Sequence, residues 1–226
     1  MIPVGVRFDD SVFVGEVYFK DQYAHQEYVK NGNILKPELV TFGFGTQVWK
    51  DGSYYEGAYL NAKFNGMGRY VHSSGDLYEG NFVDSLAKGR GQFFGFNGDT
   101  YDGEFSNNQY NGKGIFKNKH REVYEGHFVD SKKQGEGVLT VPGKHEYAGY
   151  FVANVYNGQG FLNWTDGTNR SYEGNFSDGK FNGKGRYTYE NGNIFNGIYR
   201  NGVRHGHGKL IMAKKLMIFE CTWENG

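Results

Sequence analysis

An aromatic residue followed two positions later by glycine recurs seven times, at Tyr55, Tyr78, Tyr101, Tyr124, Tyr147, Tyr172 and Phe195, with spacings of 23, 23, 23, 23, 25 and 23 residues. A period this regular marks a stacked array of one small supersecondary unit, not a domain wrapped around one central core. Each copy carries a second aromatic four residues after the first: Tyr59, Phe82, Phe105, Phe128, Phe151, Phe176 and Tyr199. Gly-x-Gly follows at offsets eleven and thirteen, as in Gly66/Gly68 and Gly89/Gly91. Offset fifteen is apolar throughout (Tyr70, Phe93, Phe116, Leu139, Leu162, Tyr187, Leu210).

Within one unit, Tyr78-Glu-Gly-Asn-Phe82 alternates ring and polar side chains with the period of a strand, placing Tyr78, Gly80 and Phe82 on one face. Val83 to Lys88 reads as a polar turn, Gly89-Arg-Gly-Gln-Phe93 as a second strand, and Asn97-Gly98-Asp99 as the turn into the next unit. Each repeat is therefore one β-hairpin. The chain is expected to be all-β: an elongated, twisted, single-layer antiparallel β-meander of roughly 14 to 16 strands. The glycines at offsets two, eleven and thirteen are placed on the ring face, where a missing side chain lets a neighbouring ring lie flat on backbone. One face is thus aromatic and the other charged. A sheet with one apolar face normally hides it under a second layer, and no segment here is long enough to be that layer. The rings must pack on one another, against a partner, or both.

Composition narrows the function classes. Gly is 36 of 226 residues and Pro only 3, beside 40 aromatics, which is neither a collagen-like nor a disordered make-up. Lys plus Arg and Asp plus Glu balance at 25 each, which argues against general nucleic-acid binding. The single Cys221 has no internal disulfide partner, which fits a reducing compartment. The first ten residues lack a basic region followed by an apolar one, and no apolar run reaches bilayer length, so a soluble, unexported chain is expected. The Gly-x-Gly pairs lack the helix that a phosphate loop requires. His205-Gly-His207 offers two imidazoles, but equivalent positions hold a variable polar pair, so a solvent-facing role outweighs a metal site.

Tyr-Glu-Gly-x-Phe, the turn Asp178 to Asn182, Gly183-Lys-Gly-Arg-Tyr187 and Glu190-Asn-Gly-Asn193 together resemble the MORN repeat, over seven consecutive units from residue 55 to about 217. The resemblance implies a twisted single-sheet β-solenoid with a groove. It also implies a non-enzymatic scaffold of cytoskeletal, ciliary or membrane-contact assemblies, often a dimer, holding peptides or helices along that groove. Anionic phospholipid is a further ligand that the resemblance suggests. No catalytic residue, cofactor or metal is expected.

Both ends depart from the pattern. Residues 1–54 read as a degenerate first repeat, with Phe13-Val-Gly15-Glu-Val17 as one strand and Gly43-Phe-Gly45-Thr-Gln-Val-Trp49 as the other, 30 residues apart where the unit has 11. The extra segment, about Phe19 to Leu39 and containing Tyr23 to Tyr28, is expected to cap the open sheet edge, with a partner loop as the alternative. Residues 218–226 form a half repeat, Phe219-Glu-Cys-Thr-Trp223, with Cys221 in a glycine position. A terminal edge of this kind suits homodimer formation.

Two surfaces are candidates for function. The first is an aromatic groove lined by the offset-four rings, Tyr59, Phe82, Phe105, Phe128, Phe151, Phe176 and Tyr199, which would hold a partner peptide or amphipathic helix. The second is a basic edge, Lys117, Lys119, Arg121 and Lys144, which would meet anionic headgroups. The favoured setting is cytoplasmic and cytoskeletal, at a cilium, axoneme or membrane-contact cortex.

Overall fold

The computed structural model describes residues 4–7, 10–18, 40–215 and 217–224. The segment expected to form the cap lies outside them. The chain divides into two compact units, Met1–Tyr110 and Asn111–Gly226. The first contains β1 (Val4–Arg7), β2 (Ser11–Tyr18), β3 (Val40–Trp49), β4 (Tyr54–Leu60), β5 (Lys63–Val71), β6 (Leu77–Val83), β7 (Leu86–Phe94) and β8 (Thr100–Ser106). The boundary falls inside β9 (Gln109–Lys117), and the second unit continues with β10 (Val123–Val129), β11 (Lys132–Val141), β12 (His145–Val152), β13 (Val155–Trp164), β14 (Ser171–Ser177), β15 (Lys180–Thr188), β16 (Ile194–Arg200), β17 (Val203–Met212) and β18 (Met217–Trp223). The seven repeats supply β4 to β17 as seven hairpins, and the described ends add β1, β2, β3 and β18. Among the described residues the strands number 18, above the expected range, and β1, which pairs with β2, is the one strand absent from the sequence reading.

Successive strands pair antiparallel in chain order within each unit, and glycine meets glycine in the middle of the ladders. In the first unit Gly45 faces Gly57, Gly57 faces Gly68, Gly68 faces Gly80, and Gly80 faces Gly91. The second unit repeats the row from Gly114 and Gly126 to Gly197 and Gly208, where Cys221 closes it. Each offset-zero ring lies on this floor. A Cβ at Gly68 would stand 2.3 Å from the Tyr55 hydroxyl and 2.5 Å from its ring. The phenol crosses the row and donates to the Ala58 carbonyl at 2.9 Å, a bond repeated by Tyr78 to Asn81, Tyr101 to Glu104, Tyr124 to His127, Tyr147 to Tyr150 and Tyr172 to Asn175. A buried hydroxyl is costly only without a partner, so the repeat satisfies its own tyrosine. Burial pushes the phenols of Tyr78, Tyr124 and Tyr147 up to about 12.

The two glycines of Gly-x-Gly serve different ends. The offset-eleven glycines do not floor a ring as expected: a Cβ at Gly66 would meet nothing nearer than 3.5 Å, but the residue sits at φ 82°. There the chain makes an irregularity, since the β4–β5 register slips between Gly57 and Tyr59. Space matters at one position and backbone conformation at the other.

In six of the seven repeats the hairpin covers its own ring, in place of a second layer. The segment Val83 to Lys88, expected as a turn, is mostly strand: the turn is only Asp84 and Ser85, both at positive φ, as two-residue hairpins require. The residue at offset nine then folds back over the offset-zero ring. Phe64 stacks on Tyr55 at 3.7 Å, Tyr110 on Tyr101 at 3.8 Å, Tyr156 on Tyr147 at 3.8 Å and Phe181 on Tyr172 at 3.7 Å. Where the offset-nine residue is not aromatic, a cation substitutes: the Lys133 ammonium lies 5.2 Å from the Tyr124 ring, and the Arg204 guanidinium 5.6 Å from that of Phe195. Ala87 is the exception, buried in the second repeat.

The offset-four rings are the staples between repeats, which corrects their assignment to an open groove. Tyr59, Phe82, Phe105, Phe128, Phe151, Phe176 and Tyr199 are all buried, from 1% exposed at Phe151 to 6% at Phe105. Each stands edge-on to the offset-zero ring of its own repeat, as Tyr59 does to Tyr55 at 5.1 Å and Phe128 to Tyr124 at 5.0 Å. Within each unit it also meets the ring of the repeat before, as in Phe82 to Tyr55 at 5.2 Å, Phe105 to Tyr78 at 4.8 Å and Phe176 to Tyr147 at 5.1 Å. Edge-to-face contact on two sides leaves these rings little surface.

Candidate binding groove

With offsets zero and four buried, the half-buried aromatics of the ring face sit at offsets nine, fifteen and seventeen, while the most exposed aromatics, Phe44 and Phe96, lie outside these positions. In the first unit Trp49, Phe64 and Tyr70 are half-buried and meet one another: Trp49 lies 6.0 Å from both Phe64 and Tyr70, and Phe64 lies 6.3 Å from Tyr70. His72 continues the group, 6.4 Å from Tyr70, and Phe93 approaches Tyr110 at 6.2 Å further along the unit. The second unit holds the equivalent cluster: Trp164 lies 6.3 Å from Phe181 and 5.7 Å from Tyr187, with Tyr189 at 4.7 Å from Tyr187. Offset fifteen is visible in the sequence, whereas offset nine was hidden by a turn assigned too long. Its signal was Phe64, Tyr110, Tyr156 and Phe181 at one position of the period.

The polar rim is uneven. In the first unit the Asp51 carboxylate accepts the Ser53 N–H at 2.9 Å and its hydroxyl at 3.1 Å. Asp76 accepts the Phe96 N–H at 2.9 Å and the Ser74 hydroxyl at 2.8 Å. These bonds, those to backbone N–H first, hold both carboxyls below the usual range, and the field of His72 adds to the effect. In the second unit the His145 ring nitrogen and the Tyr156 hydroxyl are 2.9 Å apart. Burial lowers His145 and Lys133 and raises Tyr156 to about 12, and the charge of Glu122 acts on all three.

The basic edge is present as exposed side chains. Lys117 ends β9, Lys119 and Arg121 occupy the turn into β10, and Lys144 lies in the turn between β11 and β12. The first turn is built by Asn118, whose side-chain oxygen accepts the N–H groups of His120 and Glu122, with Arg121 at φ 65°. On the opposite sheet face of the first unit Glu56, Arg69 and Glu79 stand in cross-strand register, but Val14, Phe44 and Met67 are exposed there as well. The face departs from the charged expectation in both units, the second exposing Ile115, Val138 and Phe161 in one row. Among the described residues no group of three or more His, Cys, Asp or Glu could hold a metal ion, and no helix is long and apolar enough to cross a membrane.

A ladder of short hairpins, with tyrosine laid over paired glycines and a partly open aromatic face, defines a class of repeat architecture built for surface. The chain belongs to the MORN-repeat family, whose model matches residues 42–54, 55–77, 78–100, 101–118, 124–142, 147–169, 172–194 and 195–215. That is one repeat more than the seven read from the sequence, the added one being the second strand of the degenerate first unit. Among solved structures, the SAS-4 (dCPAP) TCP domain of Drosophila melanogaster, in complex with a proline-rich motif of Ana2 (dSTIL), is similar at 14% identity and a TM-score of 0.44, covering 70% of this chain and 84% of that one. The wild-type TCP10 domain of Danio rerio CPAP, in complex with a peptide of STIL, is similar at 8% identity and a TM-score of 0.30, covering 84% and 98%. Comparison with curated protein sequences finds no match.

Proposed function

We propose that this chain is a non-catalytic binding scaffold whose half-open aromatic clusters receive an extended peptide or the apolar side of a helix from a partner protein. The observation that carries this reading is the surface left over after packing: Trp49, Phe64 and Tyr70 in one unit, and Trp164, Phe181 and Tyr187 in the other, remain half-buried. Rigid aromatic side chains presented this way are the residues that dominate protein interfaces. A cytoplasmic cytoskeletal or ciliary assembly is the proposed setting, with homodimer formation through the edge of β18 as a further expectation.

The test uses peptides selected from a displayed random library on the full chain. Their affinity should fall about tenfold or more with Tyr70→Ser or Tyr187→Ser, the loss typical of an aromatic interface anchor, while far-UV spectra stay β-like. Unchanged affinity in both variants sinks the groove.

The exposure of Lys117, Lys119, Arg121 and Lys144 favours a second reading, an anionic-lipid edge. Flotation with phosphoinositide vesicles should then be salt-sensitive and lost in Lys119→Glu/Arg121→Glu/Lys144→Glu. Flotation that survives the triple change rejects it.

A further inference from the structure

The two tryptophan clusters are built on the same local sequence. Trp49-Lys-Asp51-Gly52-Ser53 and Trp164-Thr-Asp166-Gly167-Thr168 occupy equivalent places in their repeats. Both glycines have φ 91°. In each, the aspartate accepts the N–H two residues on, from Ser53 at 2.9 Å or Thr168 at 3.1 Å, and also the hydroxyl of that residue.

The copies then diverge. The one 25-residue spacing in the chain inserts Asn169-Arg170 after the second motif. The closing bond accordingly moves: the Trp49 N–H donates to the Ser53 carbonyl at 2.9 Å, but the Trp164 N–H reaches the Arg170 carbonyl at 3.1 Å. The inserted arginine fills the cluster. Its guanidinium lies 5.0 Å from the Trp164 ring, donates to Asp166 at 2.7 Å and to the Thr168 hydroxyl at 2.8 Å, and also interacts with Tyr187. Among the described residues no cation lies over Trp49, although Asp51, Phe64 and Tyr70 stand where Asp166, Phe181 and Tyr187 stand around Trp164.

We propose that Trp49, Asp51, Phe64 and Tyr70 form a receptor for an arginine side chain of the bound peptide, in the manner in which Arg170 occupies the Trp164 cluster from within. The inference rests on the groove reading above and specifies its ligand chemistry. A guanidinium gains from an aromatic face and from a carboxylate whose ionised form is already held by local hydrogen bonds. Asp76 adds negative charge on the next turn of the same edge, and the charge of His72 acts on both carboxylates.

The test follows the indole N–H resonances of the three tryptophans in the full chain during titration with N-acetyl-arginine amide. The Trp49 resonance should shift saturably, and the uncharged N-acetyl-norleucine amide should leave it in place. Trp164 should respond only in Arg170→Ala, which empties its cluster. Inserting Asn-Arg after Ser53 should silence Trp49, and Asp51→Asn should weaken the response about threefold, the scale of an exposed ion pair. A Trp49 resonance that ignores the arginine probe, or follows norleucine equally, overturns the proposal. The free amino-acid probe keeps the two readings apart: silence at Trp49 with peptide binding intact sinks only the arginine receptor, whereas loss of the groove shows in the peptide affinities.

Discussion

Replacing Gly68 by alanine isolates the steric principle on which every repeat depends. The residue is not among the positive-φ glycines, so alanine meets no conformational objection there and as a strand residue is mildly favoured. All the cost comes from space. The new Cβ would lie 2.3 Å from the Tyr55 hydroxyl and 2.5 Å from Cε2 and Cζ. The ring cannot lift away, because Phe64 is stacked 3.7 Å above it and Tyr59 and Phe82 stand against its sides. If the repeat yields slightly, the cost is that of overpacking, about 1–3 kcal/mol. If Tyr55 is expelled, roughly 200 Å² of ring surface returns to water, about 5 kcal/mol. Gly68→Ala should therefore destabilise the chain by about 1–5 kcal/mol. Repeat arrays unfold in segments, so the assay is urea unfolding combined with amide hydrogen exchange read at β4 and β5. The control is Gly52→Ala, where φ is 91° but nothing lies within 4 Å of the new Cβ; its cost should be only about 1 kcal/mol. A Gly68→Ala protein within about 0.5 kcal/mol of the parent would refute the floor argument.

Three further outcomes are expected. Tyr124→Phe removes the donor to the His127 carbonyl and should cost about 1–2 kcal/mol in chemical denaturation, since a buried acceptor loses its partner. Lys133→Tyr installs the lid that Tyr110 and Tyr156 provide in the flanking repeats, and should raise the unfolding midpoint, where a fall would argue that the Lys133 contact to Tyr124 is the better lid. His145 is held below its ordinary value of 6.5 by burial, so the unfolded chain takes up its proton more readily. Its contribution is complete above that value and is lost as pH falls through the depressed folded value. Thermal melting should therefore worsen on acidification below about pH 6.5, and His145→Gln should blunt that part of the loss.

The hairpin, its strand alternation and the family were legible in the chain because they follow from short-range rules. Tyr-x-Gly repeated at one spacing admits few backbones, and the glycine floor is a matter of volume that composition reveals. Offset nine was not legible, since Ala87, Lys133 and Arg204 interrupt its aromatic pattern and two-residue turns leave no sequence mark as strong as the glycines. The offset-four rings show the converse failure. Their period was plain, but whether a ring is a contact surface or a staple depends on what stands on both sides of it.

The order of residues by itself determined the repeating unit, its strands and the place of Cys221 in a glycine row, because each depends on neighbours a few positions away. Tertiary packing alone decided which aromatics remain open, because burial is set by rings brought together from successive hairpins. The same division separates the two tryptophans. The extra pair of residues after Thr168 is written in the spacing, yet only the folded chain reveals that it lays Arg170 across Trp164 and leaves Trp49 without such a cover among the described residues.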